Sequence, residues 1–143
     1  MSYDLMVFDP AAAPISKSDF LLWYDEQTEW REEHTYDDPA VTTPKLREWY
    51  QLMIADFPPM NGPDRSDDFD DPMVSDYSVG RSVIYVAFAW SQAEVAYKAV
   101  RHAAETIGVG FFDASGEEGE IWLPGPKMGA AKQSFWKRLL GLS

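Results

Sequence analysis

Residues 29–39 read Glu-Trp-Arg-Glu-Glu-His-Thr-Tyr-Asp-Asp-Pro, which puts five carboxylates and one of the chain's two histidines within eleven residues. Such a set could hold a metal, shuttle a proton, or meet a cationic partner. A helical zinc site needs His or Glu ligands three or four residues apart on one face. Glu29 and Glu33 have that spacing, as do Glu33 and Asp37 if the helix persists, but His34 lies four beyond Trp30. A ligand set of Glu33, His34 and Asp37, joined by His102 from a later helix, would require a sharp bend at a helix end. A second acidic run, Asp64-Arg65-Ser66-Asp67-Asp68-Phe69-Asp70-Asp71, alternates oxygen ligands as calcium loops do. It lacks the turn glycine and the closing glutamate of an EF-hand.

Covalent and cofactor chemistry find no support. The chain has no cysteine, no Gly-x-Ser-x-Gly elbow and no phosphate-binding loop. Gly108-Val109-Gly110 follows a helix pattern and precedes a strand, the reverse of a dinucleotide fingerprint. Among 24 acids, pairs of carboxylates arise by chance and nominate no acid–base dyad. The expectation is a non-catalytic chain without a cofactor.

Charge supplies the positive indication. Residues 1–90 hold 18 acids against six bases, while residues 91–143 hold six of each, so the whole net charge of −12 sits in the first part. That body repels nucleic-acid phosphates and steers basic partners toward itself. Aromatic residues stand among the acids, and Trp and Tyr are favoured interface anchors. Trp30 and Tyr36, embedded in charge, are the rings expected to be exposed. The predicted partner-binding set is Glu29, Trp30, Glu32, Glu33, Tyr36, Asp37 and Asp38, with Asp67, Asp68, Asp70 and Asp71.

The elements that must position these residues follow from periodicity. Residues 3–8, Tyr-Asp-Leu-Met-Val-Phe, read as a first strand ended by Asp9-Pro10, and Ser18 is placed to cap a helix carrying Phe20, Trp23, Tyr24, Gln27 and Trp30 on one face. Thr43-Pro44 opens a second helix with Leu46, Trp49, Tyr50, Met53, Ile54 and Phe57, closed by Pro58-Pro59. Residues 58–72 read as a long exposed loop. Asp76–Val79 and Ser82–Trp90 flank Gly80-Arg81 as a hairpin, and the second arm is apolar enough for burial on both faces. Ser91-Gln92-Ala93-Glu94 spells a capping box before a third helix that Gly108 ends. Residues 109–113 and 120–123 read as closing strands.

This order predicts an α+β domain over residues 1–125 with a ferredoxin-like, split βαβ antiparallel sheet and an extra helix in the first crossover. Right-handed crossovers would set the first strand beside Ser82–Trp90 in the sheet centre. Residues 126–143 form a basic tail with Lys127, Lys132, Lys137 and Arg138, no acid, and a short amphipathic helix predicted after Ser134. No apolar run is long enough to span a bilayer and the N-terminus carries no basic leader, so a cytoplasmic protein is expected.

The opening Met-Ser-Tyr-Asp-Leu-x-x-Phe, the strand end Phe88-Ala89-Trp90-Ser91 and the ending Phe111-Phe112-Asp113 give the chain a familiar layout. It resembles small uncharacterised bacterial proteins, some of which look like immunity proteins of polymorphic or contact-dependent toxin systems. The likeness covers roughly residues 1–123. It implies an antitoxin that binds and blocks a basic cognate toxin. The alternative class is a small-ligand or metal-binding protein, with an enzyme or a homodimer as variants of it.

Overall fold

The computed structural model describes residues 2–125. Five strands and three helices run in the order β1 (Tyr3–Phe8), α1 (Lys17–Gln27), α2 (Pro44–Ile54), β2 (Asp76–Val79), β3 (Val83–Phe88), α3 (Ala93–Ile107), β4 (Gly110–Phe112) and β5 (Ile121–Trp122). The strands form one sheet of order β2-β3-β1-β4-β5 in which every neighbouring pair is antiparallel. As the crossover argument expects, β1 pairs along its full length with β3, from Tyr3 opposite Phe88 to Phe8 opposite Val83. The predicted tail helix lies outside the described residues.

Side chains alternate across a strand, so one sheet can carry two cores. Leu5, Val7, Ile84, Val86, Phe88 and Phe111 face α2 and α3, where Leu46, Trp49, Tyr50, Val100 and Ala104 meet them. Met6, Phe8, Val83 and Phe112 face the opposite way and pack under Phe20, with Trp23 and Tyr24 of α1 against the edge of that cluster. The nearly unbroken apolar run of β3 follows from this arrangement, because both of its faces are covered. Two buried rings also tie the elements together. The Tyr77 hydroxyl donates to the Phe57 carbonyl at 2.8 Å, and the Trp49 indole N–H donates to the Val100 carbonyl at 3.3 Å.

Helix ends depart from the sequence reading at four places: α1 stops at Gln27, short of Trp30, α2 stops at Ile54, short of Phe57 and the Pro58-Pro59 pair, and two N-termini shift. Ser16 caps α1 by accepting the Asp19 N–H at 3.3 Å, two residues before the predicted Ser18. Residues Trp90–Gln92 form a 3-10 turn, so α3 starts at Ala93 without a side-chain cap and the Ser91 box is not made. Gly108 ends α3 in the left-handed conformation at φ 90°, as its type and place predict.

Candidate partner-binding site

The acidic loop begins where α1 stops. Thr28 donates its hydroxyl to the Tyr24 carbonyl at 2.9 Å, and the chain then reverses through Trp30, a non-glycine residue at φ 55°. A left-handed conformation is uncommon for a bulky residue. Here it turns the indole back onto the sheet, edge-on to Tyr85 with centroids 6.0 Å apart and to Tyr36 at 5.0 Å. The expectation that Trp30 and Tyr36 are exposed is therefore corrected: both are half-buried. Their rings plug the part of the sheet face that α1 leaves open.

Glu32 latches this loop to the turn between β2 and β3. One carboxylate oxygen accepts the Arg81 N–H at 3.0 Å and lies 2.5 Å from His34 Nε2. His34 Nδ1 lies 2.7 Å from the Thr35 carbonyl oxygen, so both ring nitrogens already face an oxygen of their own loop. The Glu32 N–H donates to the Tyr36 hydroxyl at 2.6 Å, and the Val79 N–H donates to the Tyr36 carbonyl at 2.7 Å. Asp38 accepts the Ala40 N–H at 2.9 Å and so starts a 3-10 turn. Thus Glu32, His34, Tyr36 and Asp38 hold the loop, while Glu29 and Glu33 point their charge outward; Glu29 pairs with Arg31 at 3.0 Å on the surface. An open cleft of about 440 Å³ lies between loop and turn, lined by Glu26, Gln27, Arg31, Glu32, Glu33 and Arg81.

The second acidic run reaches the first through a glycine. Gly62 has φ +85°, and a methyl group placed there would lie 3.1 Å from the Asp37 carbonyl carbon and overlap its oxygen. Two loops far apart in sequence therefore meet at bare backbone. The electrostatics agree. Burial, followed by the charges of Asp64, Asp38 and Asp37, pushes the Tyr50 phenol up to about 12. On either side of Gly62 the chain is tied down by the Ser66 N–H donating to the Pro59 carbonyl at 2.7 Å and the Met60 N–H donating to the Ser75 carbonyl at 2.9 Å. Asp68 and Asp71 accept the N–H groups of Asp70 and Met73 at 3.2 and 2.9 Å, which makes them turn residues. Asp64, Asp67 and Asp70 remain exposed, and between them stands Phe69, 72 % exposed.

Of the predicted set, the fold brings Asp37 against Gly62, two residues before Asp64, and gives Glu32, Asp38, Asp68 and Asp71 structural bonds. The sequence reading missed Arg81, Gly62 and Phe69. Phe69 was legible as an aromatic flanked by two aspartates on each side. The alternative ligand set is not assembled: among the described residues no three His, Asp or Glu side chains come together as a metal would require. His102 lies elsewhere, in a groove between α2 and α3 beside Met53, Asp56 and Phe57.

No family model matches the chain, and no curated protein or solved structure is significantly similar to it. Among the described residues, no helix is long and apolar enough to cross a membrane.

Proposed function

We propose that this chain is a non-catalytic, cytoplasmic protein-binding module of the immunity type, whose acidic surface receives and blocks a basic partner protein. One observation carries the reading: two acidic segments, residues 29–38 and 64–71, are brought together where Gly62 meets Asp37, so the charge is gathered rather than scattered. The exposed ring of Phe69 supplies the apolar contact that charge alone lacks, and an anchor of this kind contributes most of the energy at an interface. Glu33, Asp64, Asp67 and Asp70 are the rim. Rim charges act mainly on the association rate and its salt dependence.

The immunity assignment rests on this surface together with the element order and strings noted in the sequence. We also infer that the sheet is of the split βαβ, ferredoxin-like kind. Its support is that β1 lies between β3 and β4 with β2 outside β3. In that scheme α1 is the addition, placed on the face opposite α2 and α3.

The test is a fourfold reversal, Glu33→Lys, Asp64→Lys, Asp67→Lys and Asp70→Lys, chosen because none of these carboxylates caps a turn. Capture of a basic protein from the native cell's lysate should be lost while the melting temperature is kept. Retained capture by the folded variant would remove this surface from the function.

A further inference from the structure

We propose that the basic segment 126–143 docks in cis on the partly apolar cleft between α1 and β5. This surface lies apart from the partner-binding loops, and the proposal stands without them.

The cleft has a volume of about 450 Å³ and is lined by Ile15, Ile121 and Leu123, with Lys17, Glu118 and the Arg101-paired Glu120 at its rim. Its apolar walls are unusually open: Ile15 is 96 % exposed and Leu123 is 43 % exposed. One turn beyond Lys17, Leu21 extends the same side of α1 and is also exposed. Most surface helices place their leucines inward; α1 buries Phe20 and leaves Leu21 and Leu22 outside. An apolar surface of this kind, rimmed by charge, marks a contact site.

Three observations select the occupant. The first is charge. All 24 acids lie in residues 1–125 against eight of the twelve bases, whereas residues 126–143 carry Lys127, Lys132, Lys137 and Arg138 and no acid. At the cleft, Glu120 pairs with Arg101, whereas the Glu118 side chain has no ion-pair partner among the described residues; Lys17 donates instead to the Glu118 carbonyl at 2.8 Å. The second is apolar content: the segment holds Met128, Phe135, Trp136, Leu139 and Leu140. The third is position. Leu123 in the cleft wall is three residues before Pro126, so the segment leaves the fold at the cleft's lip. A tether this short keeps the local concentration near the millimolar range, where even weak contacts are occupied.

The chain's lack of cysteine makes the test direct. In full-length ¹⁵N-labelled protein, Ser134→Cys carries a nitroxide, and paramagnetic broadening of backbone amides reports what the segment touches. Amides of Ile15, Leu21 and residues 118–123 should broaden beyond detection, while those of His102 and Thr106 on the far face keep their intensity. Adding Ile15→Asp and Leu123→Asp, both at exposed positions, should restore the lost signals with an unchanged melting curve. Three results would overturn the proposal: no broadening at the cleft, broadening centred on residues 29–38 or 64–71, or cleft broadening that vanishes on dilution with unlabelled protein. The last would make the occupant a second copy.

Discussion

Replacing Gly62 by alanine tests whether the two acidic loops meet as described. At φ +85° an L-residue is strained, by roughly 1–2 kcal/mol. The new methyl would also overlap the Asp37 carbonyl, and backbone cannot swing aside as a side chain can. Overpacking of that sort costs about 1–3 kcal/mol. The combined expectation is a loss of about 3 kcal/mol, or a fall in melting temperature of roughly 6–12 °C for a chain of this size. Gly80→Ala is the internal control. Its methyl would lie nearest the Glu32 carboxylate and the Val83 side chain, at 3.5 Å, an ordinary contact. Stiffening the unfolded chain there should leave stability within about 1 kcal/mol of the parent. Urea unfolding followed by tryptophan fluorescence measures both. If Gly62→Ala matches Gly80→Ala, loops 29–38 and 58–75 do not share a surface, and the reasoning that gathers their charge fails.

Other consequences follow from the same contacts. Asp37→Asn with Asp64→Asn should bring the Tyr50 phenol down from about 12, read as earlier tyrosinate absorbance in an alkaline titration; an unmoved titration would place these charges elsewhere. Burial raises both Tyr3 and Tyr50 to about 12. The unfolded chain therefore ionises first, and stability should be level below about pH 10 and fall as pH rises toward about 12; a stability curve flat through that window would contradict it. Tyr77→Phe leaves the buried Phe57 carbonyl unpaired and should cost about 1–3 kcal/mol in urea unfolding. Glu32→Ala removes the acceptor of the Arg81 N–H, so hydrogen exchange at Arg81 and Val79 should quicken while α2 and α3 keep their protection.

The strands and helices were legible because burial selects apolar residues, in runs along a strand covered on both faces and at helical spacing along a helix. The apolar run of residues 3–8, the three- and four-residue spacing of Leu46, Trp49, Tyr50 and Met53, and the glycine stop at 108 all fall where the pattern puts them. Caps were less legible, because Ser16 and Ser18 carry the same chemistry and only the entry path of the chain chooses between them. The Ser91 box failed for a related reason: the 3-10 turn at 90–92 moves the helix start two residues past it. Trp30 and Tyr36 read as exposed because their sequence neighbours are charged. The left-handed turn at Trp30 decides otherwise, and no sequence rule predicts such a turn at tryptophan. The meeting of the two acidic runs depends on a long-range contact. Its one local trace is the Asn61-Gly62 pair, a turn signal that permits positive φ.

The most direct measurement of the central claim is affinity capture from the native cell's lysate, with the parent chain and its fourfold lysine variant side by side. Salt of about 50 and 300 mM shortens the Debye length from roughly 14 to 6 Å. The account predicts one basic protein held in a stoichiometric complex by the parent, more slowly captured at the higher salt and absent from the variant. Equal capture by both chains, or a captured partner that is itself acidic, would contradict it.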